Sequence, residues 1–209
     1  MLKRYLIHKR LLVRFLSLLA AVSVVFVGVW SASYWLLPEG LLTGRTGGAV
    51  LAGDDLAGGR VWLEWLRILG LNLLVMGLFM VPANLIVTKR GYPFGYVAVV
   101  VIAAGFATAI GTNSFTIPMP VRLPPSFSAF GAAGVYEIMA YVLVVTATTS
   151  IGRWRVKRWF AIRGTTERVR RSHDRTTLME RNVGVLLAFV VLASAGAWEA
   201  IQISAVLAA

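Results

Sequence analysis

AAGVYEIMAYVLVVTATTSIGRWRVKRW, residues 132–159, decides the fold: small residues and a glycine open it, one carboxylate follows, then an apolar run, and a basic aromatic stretch stops it. Residues 134–152 are apolar enough to cross a bilayer as one helix. Glu137 stands near the start of that crossing, where an ionisable side chain is costly without a partner. Arg153, Trp154, Arg155, Lys157, Arg158 and Trp159 follow its end, and this mixture of cations and indoles marks them as membrane-interface anchors.

The pattern repeats outward in both directions. Residues 1–14 carry five cations among Leu, Ile and Tyr, and 15–37 then run without a charge, which predicts a basic anchor followed by a transmembrane helix. A cleavable signal peptide is the rival reading, with small residues in SASYW near position 32, but its apolar region would be too long, so an uncleaved span is expected. Residues 38–60 are glycine-rich with charges of both signs and read as a solvated loop. A second span is expected over 62–87, ending at the basic turn Thr88-Lys89-Arg90-Gly91, and a third over 95–112, on the order of 27 Å long at 1.5 Å per residue. Its Ala, Val, Ile and Gly composition suits close helix packing in lipid, with Ala103, Ala104, Gly105 and Ala107 as a candidate self-association face. Pro118, Pro120, Pro124 and Pro125 keep 113–133 from spanning as a helix, and this segment reads as an external or re-entrant loop. The fourth span is 134–152, the basic segment 153–182 follows, and 183–207 is the fifth.

The chain is therefore expected to be an all-α integral membrane protein of a single domain. At 58% hydrophobic and 14% charged residues, with a mean hydropathy of +0.75, it is too apolar for an ordinary soluble domain. Orientation follows from the cations. With the N-terminus cytoplasmic and the C-terminus external, seventeen Lys and Arg fall in inside segments against Arg45, Arg60 and Arg122 outside, as the positive-inside rule requires. The net charge of +12 is then explained by topology and by attraction to anionic headgroups, which argues against nucleic acid as a partner. An amphipathic helix on the inner face is expected within 153–182, where Trp154, Val156, Trp159, Phe160 and Ile162 fall among Arg and Lys, although their helical period is imperfect.

The polar residues inside the spans gather toward one side. Glu64 and Arg67 lie in the first turns of the second span, Asn72 near its middle, Glu137 in the first turn of the fourth, and Glu199 and Gln202 toward the end of the fifth. These six form the candidate intramembrane cluster. Glu64 and Arg67, three residues apart, either satisfy each other or leave Arg67 to pair across helices with Glu137 or Glu199. For the two lone carboxylates a packing and hydrogen-bonding role is expected, since no titratable series continues toward the cytoplasmic side. The chain has no cysteine, and His8 and His173 lie among Lys and Arg, so neither a disulfide nor a metal centre is expected. No nucleophile elbow or phosphate loop appears, GTNS at 111–114 is too short to name a nucleophile, and Ser126 and Ser128 have no base nearby; no catalytic residue and no cofactor are assigned.

Several landmarks recur in a fixed order: the span with Asn72, the turn RGYPFG at 90–95, GVYE at 134–137, IGR at 151–153 and AWEAI at 197–201. Together they resemble the stage II sporulation protein M family of multi-pass membrane proteins, from about residue 62 to the end. Gly134 and Glu137 match that family's Gly-x-x-Glu, and Glu199 its acidic residue in the final span. Arg90-Gly91 replaces an Asn-Gly turn, and Ala132-Ala133 replaces a Pro-His, so any chemistry of that histidine is missing. The resemblance implies a helical membrane protein that, in sporulating bacteria, partners a cell-wall hydrolase and another membrane protein during engulfment. The leading expectation is a non-enzymatic scaffold or assembly subunit of the cell membrane, associating with other membrane proteins and with copies of itself. The alternatives are a small permease or transporter subunit with the polar cluster as its vestibule, and an intramembrane enzyme.

Overall fold

The structure, a computed structural model, describes residues 2–44, 60–115, 119–127, 133–156, 166–168 and 175–207. Four of its helices are long and apolar enough to cross a membrane: α2 (Leu11–Leu36), α3 (Val61–Ala83), α5 (Ala133–Ala147, extended by a 3-10 turn to Ile151) and α6 (Arg175–Leu207), whose apolar part is Leu178–Ala205. The fifth expected span is a shorter apolar helix, α4 (Gly95–Gly111), and a single-turn helix, α1 (Leu2–Leu6), precedes α2.

Helix boundaries depart from the expected spans where side chains intervene. α2 begins at Leu11 instead of residue 15, because Glu180 of α6 accepts the Leu11 N–H at 3.2 Å and supplies the cap that Arg10 does not. Arg14, placed by sequence in the basic anchor, is buried; its guanidinium donates to the carbonyls of His8 and Lys9 at 2.7 Å each and lies 4.0 Å from Glu180. The same contact explains why α6 starts at Arg175 and not at 183: Glu180 and Arg181 sit inside a helix long enough to reach the start of α2.

α3 stops at Ala83, short of residue 87, and it is not uniform. Its regular part, Val61–Val75, gives way to a π-helical turn at Met76–Met80 and a last turn at Val81–Ala83. Pro82 cannot donate to the carbonyl four residues back and its ring crowds that turn, and the widened turn just before it accommodates the defect. The chain then bends at Asn84, whose fully buried Nδ2 donates to Val145 O and Thr148 Oγ1 at 2.7 Å each.

Ile86–Val87 forms β1 of a small sheet with β2 (Trp154–Val156) and β3 (Thr166–Arg168). β1 and β2 are parallel, with Ile86 opposite Trp154 and Val87 opposite Arg155; β2 and β3 are antiparallel, with Trp154 opposite Arg168 and Arg155 opposite Glu167. The amphipathic helix expected within 153–182 is therefore not formed over these strands. The physical reason is a pair of fixed bonds: the N–H groups of Arg153 and Trp154 both donate to Leu85 O, at 2.8 and 2.9 Å, which lays this stretch alongside β1.

α5 is the centre of the bundle, packed on α2, α4 and α6, while α3 leans on α6 with its regular part and on α4 and α5 with its π turn. Two glycines permit the closest approaches. A Cβ on Gly134 would overlap the Phe106 ring of α4, and one on Gly111 would strike Ser33 and the Trp30 carbonyl of α2. Phe106 also joins Phe26, with ring centroids 6.3 Å apart, and Phe26 meets Trp30 edge-on at 6.0 Å. Ala103 and Ala107, expected on a self-association face, are instead fully buried within the bundle; Gly105 lies open on the other side of α4. Ala104 is half-buried, so the Ala103 and Ala107 part of that face is taken up by packing within the fold.

Candidate functional site

Successive helices along the chain alternate in direction from α2 to α6, so the bundle has two distinct ends. The starts of α2, α4 and α6 meet the end of α5 at one of them: Tyr96 Oη donates to Leu6 O at 2.9 Å, Glu180 holds Leu11, and Gly184 abuts Ala147. Lys9, Arg10, Lys89, Arg90, Arg153, Arg155, Arg168 and Arg181 cluster at this basic end, with the small sheet. The starts of α3 and α5 and the ends of α2, α4 and α6 make the opposite end.

The polar cluster lies in the half toward that opposite end. Glu137, in the second turn of α5, accepts a hydrogen bond at Oε1 from Asn72 Nδ2 of α3. Tyr141, four residues on and so on the same face of α5, donates from its hydroxyl to Asn72 Oδ1. The Asn72 amide thus uses both its ends on one helix. The Glu137 and Glu199 carboxyls are hydrogen-bonded to each other, which brings α6 into the network. Trp65 Nε1 adds a bond from α3 to Ala193 O of α6 at 2.9 Å.

Of the six residues expected to cluster, Asn72, Glu137 and Glu199 form this connected core. Glu64 is buried at 7% exposure, close enough to Glu199 to act on it electrostatically, and the i,i+3 pairing with Arg67 forms at 3.9 Å. Gln202 lies one turn beyond Glu199 on α6 and is exposed. Tyr141 was not anticipated, although its spacing from Glu137 carried the signal. In hydrocarbon each of these groups would cost several kcal/mol unpaired, and a bond between membrane helices contributes about 0.6–2 kcal/mol. The network therefore decides which helices lie together more than how tightly they hold.

Other polar side chains missed by the sequence reading terminate helices. Arg122, expected in an external or re-entrant loop, donates to Gly111 O from Nε, and to Ser33 O and Leu37 O from Nη2 at 2.7 and 2.8 Å, while its guanidinium stands 4.9 Å from the Tyr34 ring centroid. One cation thereby completes the carbonyl ends of α2 and α4. Trp30 Nε1 donates to Leu123 O at 3.1 Å, so this part of the proline-rich segment runs beside the last two turns of α2. Residues 116–118 and 128–132, including Pro118 and Ser128, lie outside the described residues. In the 111–114 stretch, Thr112 and Ser114 share a hydroxyl bond of 2.7 Å, and Ser114 Oγ accepts Leu42 N–H at 3.0 Å, a loop-closing role.

Among the expected interface anchors, Arg153 and Arg155 are exposed and Trp154 is 45% exposed; Lys157, Arg158 and Trp159 lie outside the described residues, as does His173. His8 Nδ1 accepts the Arg10 N–H at 3.1 Å. Among the described residues no group of three or more His, Cys, Asp or Glu side chains could hold a metal ion. Comparison of the chain with protein-family models, curated proteins and solved structures finds no match in any of the three.

Proposed function

We propose that this protein is a non-enzymatic scaffold or assembly subunit of the cell membrane, a five-span bundle with its basic end and N-terminus in the cytoplasm and its C-terminus outside. The resemblance to the stage II sporulation protein M family gives the kind of role: organising other membrane or cell-envelope proteins. Proline-rich residues 119–127 then form a loop on the external side that turns back against α2.

One observation carries the reading. Glu137 accepts from Asn72, which in turn accepts from Tyr141, the Glu137 and Glu199 carboxyls are bonded to each other, and no charged side chain lies in 68–83, 95–112, 138–152 or 183–198, between the network and the basic end. A carrier of ions or protons needs polar groups continued across the membrane; a tie between helices needs them at one depth only. The seventeen-to-three distribution of cations supports the orientation.

Two experiments test this. Purified protein in proteoliposomes loaded with a pH-sensitive dye should show no proton or sodium flux above empty liposomes, and Glu137→Gln should change nothing; a flux that Glu137→Gln abolishes while the protein stays folded establishes the permease reading. For orientation, a cysteine introduced at Asp55 should react with an impermeant maleimide in intact cells and one at Thr165 should not; the reverse labelling refutes the topology.

A further inference from the structure

The small sheet at the basic end sorts its side chains by sign and polarity. Residues paired in register share one face of a sheet, so Val87, Arg155 and Glu167 make one row and Ile86, Trp154 and Arg168 the next, on the other face. Val87 is 1% exposed, whereas Ile86 and Trp154 are 38% and 45% exposed and Arg168 is exposed; Arg155 and Glu167, in the Val87 row, are exposed as well. The one carboxylate of the three strands, Glu167, is in the Val87 row opposite Arg155, where the two charges offset each other. The Ile86 row therefore combines an aliphatic, an indole and a guanidinium with no carboxylate among them, and the exposed Arg153, Lys89 and Arg90 lie a few residues along the chain from it.

Depth selects the occupant. Ile86 is three residues beyond Ala83, the end of α3, and Trp154 three beyond Ile151, where the α5 span ends. At about 3.3 Å per residue neither is more than about 10 Å of chain from the end of its span, and the headgroup layer is roughly 5–8 Å deep on each side of the hydrocarbon. A face at that depth meets headgroups before it meets anything soluble. Indoles favour this layer, and each cation in it attracts anionic lipid.

We infer that the row Ile86, Trp154 and Arg168 is a docking face for anionic phospholipid headgroups, with Arg168 and Arg153 directed to phosphate oxygens and Trp154 and Ile86 at the level of the acyl esters. The inference rests on the reading that α3 and α5 cross a bilayer.

The test is fluorescence quenching of the full chain in nanodiscs of phosphatidylcholine that contain, at equal mole fraction, either phosphatidylglycerol or phosphatidylcholine brominated on the acyl chain near the ester. Subtracting the Trp154→Phe signal from that of the unmodified protein isolates Trp154; if that variant does not fold, Ile86→Trp places a probe in the same row. Trp154 should be quenched several-fold more by the brominated phosphatidylglycerol, and Arg168→Gln should cut the preference about fivefold. Equal quenching by both lipids overturns the anionic specificity. Quenching of Trp154 by aqueous acrylamide but by neither lipid, while the exposed Trp35, Trp62 and Trp198 at the opposite end are quenched by lipid, overturns the docking face and leaves the membrane reading intact. If no tryptophan is quenched by lipid, the membrane reading itself fails.

Discussion

The two ends of the bundle treat polar side chains in opposite ways. Toward the end away from the basic cluster Glu137, Glu199, Asn72 and Tyr141 turn inward and bond to one another across α3, α5 and α6. At the basic end Arg153, Arg155 and Arg168 turn outward from a sheet of two- and three-residue strands. The difference is one of solvent. A group in hydrocarbon has only protein to bond with, so its partners become part of the fold; a group at headgroup level can exchange a protein partner for water or phosphate at little cost.

If that contrast holds, damage should grade with depth. Asn72→Leu leaves both the Glu137 carboxyl and the Tyr141 hydroxyl without their partner and should cost about 2–3 kcal/mol, read as a lower midpoint in SDS titration of the protein in mild detergent. Arg122→Ala, at the ends of α2 and α4, frees the carbonyls of Gly111, Ser33 and Leu37 where water can reach them, and should cost about 1 kcal/mol in the same titration. Arg155→Gln, on the sheet, should stay within about 0.5 kcal/mol of the unmodified protein. A sheet variant as harmful as Asn72→Leu would break the comparison.

The sequence made the membrane architecture readable because lipid imposes a long, uninterrupted signal: α2, α5 and the apolar part of α6 lie where 15–37, 134–152 and 183–207 place them. Asn72, Glu137 and Glu199 were readable for the converse reason, as costly groups inside such runs. What was not readable depended on distant partners. Nothing local shows that Glu180 caps α2, that Arg122 completes two helices, or that Leu85 O draws 153–154 into a sheet. Strands of two or three residues carry no period, and the basic composition of 153–182 pointed to a helix instead. The end of α3 was overrun because Ile86 and Val87 continue its apolar run, although Pro82 was a usable stop signal.

The central claim is that α3 is held on α5 through the Asn72–Glu137 bond, as a tie and not as part of a conduit. A double-mutant cycle with Asn72→Leu, Glu137→Leu and the combined variant, measured by reversible SDS unfolding, tests it most directly. The account predicts a coupling energy of about 0.6–1.7 kcal/mol, the range of hydrogen bonds between membrane helices. Costs that add to within about 0.3 kcal/mol, as for residues that do not interact, would contradict it.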